Sequence, residues 1–206
     1  MADQLIRQGL LFIPYSVVVL KHSGEVHDVV FSPDGKYIAT ASADKTARVW
    51  NASTDKPVLI LNHDGGVRDV IFSPDGKYVA TASYDKTARL WDTYTGKQIF
   101  VFNHNDWVNN VVFSPDGKYV ATASNDKTAC VWDAYTGKQI LVLNHYDWVN
   151  NVVFSPDGKY VATASADNIA RLWICSNTDD LINEASNRFT QNLTPEEWKK
   201  YMGDEP

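Results

Sequence analysis

Cysteine is scarce, basic charge is in deficit, and no long uninterrupted apolar run occurs anywhere in the 206 residues. Cys130 and Cys175 are the only cysteines, too few for a secreted disulfide framework and without the paired spacing of a metal site. A reducing cytoplasm is the expected location. The 25 acidic side chains outnumber 19 basic ones for a net charge of -6, and the lysines are scattered in Asp-Lys and Gly-Lys pairs, so no positive stripe awaits a phosphate backbone. Nucleic acid is not an expected partner. The longest apolar stretch, Leu10 to Leu20, is interrupted by Pro14, Tyr15 and Ser16 and falls short of the ~20 residues that span a bilayer. No small-x-small cleavage site follows it convincingly, so neither membrane insertion nor secretion is expected.

What the chain has is repetition. At 44% hydrophobic and 21% charged it has a globular composition, long enough for one domain with appendages and a sizeable core. Phe-Ser-Pro-Asp-Gly-Lys-Tyr begins at Phe31, Phe72, Phe113 and Phe154, always 41 residues apart. A fixed period of this length indicates a repeat architecture. The repeats occupy residues 17–174, between a lead-in of residues 1–16 and a tail of residues 175–206.

Turn signals divide each unit into four short apolar runs, which read as strands. In the first full unit these are Val26 to Phe31, Tyr37 to Ser42, Thr46 to Trp50 and Val58 to Leu61. Ser32-Pro33-Asp34-Gly35 places Pro where its fixed φ suits a type I turn and Gly where φ turns positive, so the first two runs form a tight hairpin. Val26, Val29 and Phe31 are spaced three and then two apart, and a β-bulge near His27-Asp28 restores their common face. Tyr37 to Ser42 is apolar or small at nearly every position, as expected of a strand covered on both faces. Outside the repeats, Ala2 to Leu11 is expected to form a short helix. So is a segment capped by Asp179-Asp180 that spaces Leu181, Ala185 and Phe189 helically, and so is the capping box of Thr194-Pro195-Glu196-Glu197.

A four-stranded unit of ~40 residues whose third strand ends in Trp-Asp is the signature of a β-propeller blade. Trp91-Asp92 and Trp132-Asp133 match it, with Trp50-Asn51 and Trp173-Ile174 as degenerate copies. The chain resembles the WD-repeat family, which implies an all-β propeller of four-stranded blades and a non-catalytic scaffold. The resemblance also implies a polar network of Trp, Ser or Thr, His and Asp in each blade. The matching positions are Trp50, Ser42, His22 and Asp44; Trp91, Ser83, His63 and Asp85; Trp132, Ser124, His104 and Asp126; and Trp173, Ser165, His145 and Asp167. The Gly that usually precedes the His is replaced by Lys21, Asn62, Asn103 and Asn144, so that turn is expected to be shaped differently here, although Asn tolerates a left-handed backbone.

The flanks resemble a particular setting. Ala2 to Leu10 is similar to the helix preceding the propeller in large bacterial signalling proteins, in which a STAND-type NTPase carries a WD-repeat sensor. Leu193 to Trp198, running into Gly203-Asp204-Glu205-Pro206, is similar to the tail of the same proteins. The chain has no Gly-rich phosphate loop of its own, so it would be the sensor rather than the motor.

Ser, His and Asp in one set also raise a hydrolase reading. Yet the set recurs in every repeat, always with a Trp, and no Gly-x-Ser-x-Gly elbow accompanies it. A structural network is the stronger expectation, with no catalytic residue and no cofactor. The four repeat histidines stand 41 residues apart, one per blade and without a Cys or carboxylate cluster, so no metal site is expected. Cys130 takes the place of Arg48, Arg89 and Arg171 and reads as a buried, inert thiol.

Positions that the fold leaves open differ between copies, and these cluster in three places. One lies just after each His: Ser23-Gly24-Glu25, Asp64-Gly65-Gly66, Asn105-Asp106-Trp107 and Tyr146-Asp147-Trp148. The others are His27, Arg68, Asn109 and Asn150, and Ala43, Tyr84, Asn125 and Ala166. In a propeller these loops gather on one end of the channel. Trp107, Trp148, Arg68, Tyr84, Asn109, Asn125 and Asn150 are therefore the candidate partner-binding residues, of the types that dominate interaction hot spots. A plainer alternative has Trp107 and Trp148 packing on one another, or making oligomer contacts.

Four blades raise a closure problem. The last repeat supplies three strands, while Val17-Val18-Val19-Leu20 matches a fourth strand in its position before a His. That N-terminal strand is expected to complete the last blade, within one chain or between chains. The family resembled usually has seven blades, so a ring of four is strained. Two chains giving eight blades, or an arc within a larger assembly, are the expected states.

Overall fold

The computed structural model describes residues 18–175. The expected helices at Ala2 to Leu11, after Asp180 and at Thr194, with the terminal segments that resemble signalling proteins, lie outside the described residues. Within them are fifteen strands: β1 (Val26–Phe31), β2 (Tyr37–Ser42), β3 (Thr46–Asn51), β4 (Pro57–Asn62), β5 (Val67–Phe72), β6 (Tyr78–Ser83), β7 (Thr87–Asp92), β8 (Gln98–Asn103), β9 (Val108–Phe113), β10 (Tyr119–Ser124), β11 (Thr128–Asp133), β12 (Gln139–Asn144), β13 (Val149–Phe154), β14 (Tyr160–Ser165) and β15 (Ala170–Ile174). They form antiparallel sheets β1-β2-β3-β4, β5-β6-β7-β8, β9-β10-β11-β12 and β13-β14-β15, four blades in sequence order. No helix among the described residues is long and apolar enough to cross a membrane.

The first turn of each blade follows from its residues. Gly35 has φ 70° and its N–H donates to the Ser32 carbonyl at 2.9 Å, closing the turn that Pro33 pre-sets. The Asp34 carboxylate accepts the Ser32 hydroxyl at 2.7 Å and the Lys36 N–H at 3.1 Å, a local cage that Asx residues build in turns. The register of β1 on β2 shifts between Val26 and Asp28, which is the expected bulge. The same shift recurs between Val67 and Asp69 and between Val149 and Asn151.

Neighbouring blades pack face to face, always in the same sense. Ala39, Ala41, Ala47, Val49 and Leu61 of the first blade meet Val67, Val70, Phe72, Val79 and Trp91 of the second. Alanines on one face let the larger side chains of the next sheet approach closely. The pattern repeats between second and third blades, with Leu90 and Phe102 against Val108 and Val111. Between third and fourth blades, Val131 and Leu143 lie against Val149, Val152 and Val161. Each fully buried Val or Leu stabilises the chain by about 1.5–3 kcal/mol relative to exposure, so these three junctions are the core.

Within one chain the N-terminal segment does not complete the last blade: among the described residues Val18 to Leu20 is in no sheet, and β13-β14-β15 has no fourth strand. Successive inner strands pack β1 on β5, β5 on β9 and β9 on β13. Asn62, Asn103 and Asn144 end strands β4, β8 and β12, and none of them has a positive φ. The positive φ falls instead on Lys45, Lys86, Lys127 and Asn168, at 67–71°, in the turn between second and third strands. That turn is held by the preceding Asp, whose carboxylate compensates the strain.

Candidate interaction face and its supporting networks

Each of these Asp turns anchors a network. Asp85 Oδ1 accepts the Thr87 N–H at 3.0 Å and the Thr87 hydroxyl at 2.6 Å. Its Oδ2 faces His63 Nδ1 at 2.8 Å and accepts Arg89 Nη2 at 2.9 Å. On the far side of the ring, His63 Nε2 lies 2.7 Å from Thr81 Oγ1, which also accepts the Trp91 Nε1–H at 2.9 Å. A neutral His satisfies this chain, donating from Nδ1 and accepting at Nε2. Burial lowers the His63 pKa against the raising effect of Asp85, in keeping with that state. Burial also works to raise the Asp85 carboxyl, but hydrogen bonds from His63, Thr87 and the Asp64 N–H outweigh it and hold it far below the usual carboxylate range.

The first and third blades repeat the arrangement. His22 joins Asp44 at 2.9 Å and Thr40 at 2.7 Å, and Trp50 donates to Thr40 at 2.8 Å. His104 joins Asp126 at 2.9 Å and Thr122 at 2.8 Å, and Trp132 donates to Thr122 at 2.9 Å. The fourth blade departs from it. Trp173 donates to Thr163 at 2.9 Å, but His145 Nε2 is buried with no partner among the described residues. Arg171 binds Asp167 at 2.7 Å and faces His145 Nδ1 at 2.8 Å, leaving Asp167 3.9 Å from that His.

The hydroxyl in the network is thus Thr40, Thr81 and Thr122, and not Ser42, Ser83 and Ser124. Strand register explains the correction. Trp50 lies opposite Ile38, so Thr40 is within reach of the indole while Ser42 sits two residues further on, at the mouth of the turn. There the Ser42 Oγ accepts the Asp44 N–H at 3.1 Å. Ser165 does the same for Asp167 at 3.1 Å. In the third blade the Ser124 hydroxyl donates to the Asp106 carbonyl and accepts the Asp126 N–H, each at 3.1 Å. The Ser–His contact that a hydrolytic triad uses is not made at any of these positions. Among the described residues no group of three or more His, Cys, Asp or Glu is placed to hold a metal.

Above the networks the variable positions meet. The His27 and Tyr84 rings are 6.1 Å apart, and Tyr84 lies 4.7 Å from Trp107, so an aromatic row crosses the first three blades. Asn109 Nδ2 donates to Asn125 Oδ1 at 2.7 Å and to the Val149 carbonyl at 2.9 Å, tying the third blade to the fourth. Trp107 packs on Tyr84 and makes no ring contact with Trp148. The two tryptophans remain 48% and 52% exposed, half of each indole facing solvent. Arg68 and Asn150 are exposed as well.

One group was missed in the sequence. Asp28, Asp69 and Asn110 occupy the same repeat position and stitch blade to blade. Asp28 Oδ2 accepts the Val70 N–H at 3.2 Å, Asp69 Oδ2 the Val111 N–H at 2.8 Å, and Asn110 Oδ1 the Val152 N–H at 3.0 Å. Burial, with the neighbouring Asp28 carboxyl, raises the Asp69 pKa to about 7. The available signal was a short polar acceptor recurring inside an apolar inner strand, next to the bulge.

Comparison with known proteins matches this architecture. Over 39 residues, 19% of this chain, the sequence is 49% identical to a SAGA complex/transcription factor TFIID complex subunit, Taf5, of Schizosaccharomyces pombe. The chain spans only 6% of the length of that relative. The family model for the WD domain, G-beta repeat, matches at residues 15–51, 55–92, 96–133 and 137–173. With four blades, their histidine–aspartate networks and these four matches together, the chain belongs to the WD-repeat family.

Proposed function

We propose that the chain is a non-catalytic scaffold that grips a protein or peptide with the loop end of its blades. The observation that carries this reading is the row His27, Tyr84 and Trp107, continued by the half-exposed Trp148. Large aromatics on loops are costly to leave in water without a partner, and the polar networks beneath hold their turns rigid, so little ordering entropy is lost on binding. Membership of the WD-repeat family supports an interaction role, and the relative that is a complex subunit points the same way. The terminal segments similar to those of STAND-type signalling proteins make the sensor part of such a system our finer reading. As part of it, the chain works in an assembly larger than four blades.

A displayed peptide library tests the reading. Peptides selected on the parent chain should lose at least tenfold in affinity when Trp107 and Trp148 are both replaced by Ala, with the circular dichroism spectrum unchanged. Selected peptides that bind the double variant as well as the parent would place binding elsewhere.

A further inference from the structure

The two ends of the described chain carry the two halves of a blade junction. In the three internal junctions the residues equivalent to Val26 and Val29 are essentially inaccessible: Val67, Val108 and Val149 at 0%, and Val70, Val111 and Val152 at 1%. On the first blade Val26, Val29 and Phe31 are 45%, 61% and 62% exposed. The opposite half-junction is open on the fourth blade. Leu172, whose counterparts Val49, Leu90 and Val131 are 0–1% exposed, is 70% exposed, and Ala164 and Ala170 beside it are exposed too. Each open face has the residues that bury the other in every internal junction.

Hydrogen-bonding groups are left over in matching places. Asn151 stands where Asp28, Asp69 and Asn110 each accept the amide of the following blade, and among the described residues Val29 is the amide in that series that meets no such acceptor. His63, His104 and His145 each donate their N–H to a carbonyl of the preceding blade, Lys45, Lys86 and Lys127, at 2.9 Å. The corresponding pair is the N–H of His22 and the carbonyl of Asn168, which shares the positive φ of those lysines. Among the described residues strand β15 has no outer partner, and Val18 to Leu20 lies outside any sheet. Yet the chain just after it is anchored as the outer strands are: Arg48 Nη1 donates to the Lys21 carbonyl at 3.0 Å, as Arg89 Nη1 does to Asn62 at 3.2 Å.

We propose that a second copy of this chain occupies both ends, closing two four-bladed arcs into one two-fold ring of eight blades. The register follows from β3 on β4, where Ala47, Arg48 and Val49 oppose Leu61, Ile60 and Leu59. In the dimer Ala170, Arg171 and Leu172 of one protomer oppose Leu20, Val19 and Val18 of its partner. Asn151 Oδ1 accepts the Val29 N–H across the same junction, and the Asn168 carbonyl accepts that of His22. Because the two half-junctions differ, a pair of chains forms the contact twice and leaves no open face, which is the condition for a closed assembly. Eight blades fall within the ~4 to 8 of known propellers. The inference deepens the assembly part of the proposed function, and the peptide-binding part stands or falls separately.

Light scattering on the 206-residue chain is expected to return twice the mass of one chain. A monomer, or an open-ended series of masses, overturns the proposal. Leu172→Asp alters a side chain exposed in the single chain, so it should yield a monomer with an unchanged circular dichroism spectrum; a dimeric variant also overturns it. The register is tested by mixing two single variants, Val18→Cys and Leu172→Cys, each carrying Cys175→Ser. Residues directly opposite on antiparallel strands lie ~4.5–5.5 Å apart at Cα, within reach of a disulfide. Oxidation of the mixture should give a linked dimer that neither variant forms alone, and absence of that species rejects the register. None of these substitutions touches Trp107 or Trp148, so loss of the dimer and loss of peptide binding are read independently.

Discussion

The Asp69 carboxylate accepts the backbone N–H of Val111 at 2.8 Å across the boundary between the second and third blades. Asn110 Nδ2 donates to the same oxygen at 2.6 Å, while Asn110 Oδ1 reaches onward to Val152 at 3.0 Å. The blades are therefore joined by a polar relay along their inner strands as well as by apolar faces. Buried acceptors of this kind fix which amide must lie opposite, so they set the register between sheets that packing alone would let slide.

Replacing Asp69 by Asn keeps an acceptor in a position that Asn110 already fills one blade on. The Asp69 carboxyl titrates at about 7 against an ordinary 3.8, so the folded chain holds its proton more tightly than the unfolded chain. Native stability attributable to this group then falls as pH rises from 3.8 through 7. Asp69→Asn has no such proton to lose. Because Asp69 shares its environment with Asp28 and is partly solvated, a gain of about 1–2 kcal/mol at pH 8 is expected, shrinking toward zero near pH 4. Urea unfolding at the two pH values checks it, and a pH-independent difference would contradict the assignment.

Thr122 and Ser124 separate the two hydroxyls of the third blade. Thr122→Val leaves the Trp132 N–H and His104 Nε2 without their shared partner in a fully buried site, at a cost of about 2–4 kcal/mol. Ser124→Ala removes a turn contact and should cost about 1 kcal/mol. Only the threonine variant should shift the Trp132 fluorescence. Equal costs with equal spectra would return the serine to the network.

The two exposed tryptophans differ in what supports them. Trp107→Ala loses its ring contact with Tyr84 and should destabilise by about 0.5–1.5 kcal/mol. Trp148→Ala should stay within about 0.5 kcal/mol of the parent. Thermal unfolding distinguishes them, and a large loss at Trp148 would reveal a packing role instead.

Cys130 is buried, and burial pushes its thiol up to about 11. At pH 8 it should resist iodoacetamide until denaturant is added, while the half-buried Cys175 reacts first. Mass spectrometry of the labelled peptides decides, with early modification of Cys130 as the contrary result.

The strands, hairpin turns and bulges were legible because they depend on neighbours in sequence. Pro33 and Gly35 specify their turn wherever the blade lies, and the spacing of Val26, Val29 and Phe31 demands one extra residue. The His–Asp pairs were legible only through the resemblance to the WD-repeat family. The choice of Thr40 over Ser42 was not, since both stand on the same face of β2 and only the pairing with β3 brings one of them to the indole. Asp28 and Asp69 escaped notice because an acid in an inner strand has meaning only when the next blade presents an amide to it.

By itself the sequence determined what each blade is: a period, a set of turns and an alternation of small and large residues that bury two faces. These are local properties, enforced by backbone sterics and strand periodicity. Tertiary structure decided what joins the blades and what stays open. Junctions depend on contacts 41 or 42 residues apart, such as Asp28 with Val70 and Asp69 with Asn110, which no local pattern encodes. It also revealed that the first and last blades expose complementary halves of one junction. Val29 and Leu172 occupy the same repeat positions as their buried counterparts, and only their places in the first and last blades leave them exposed.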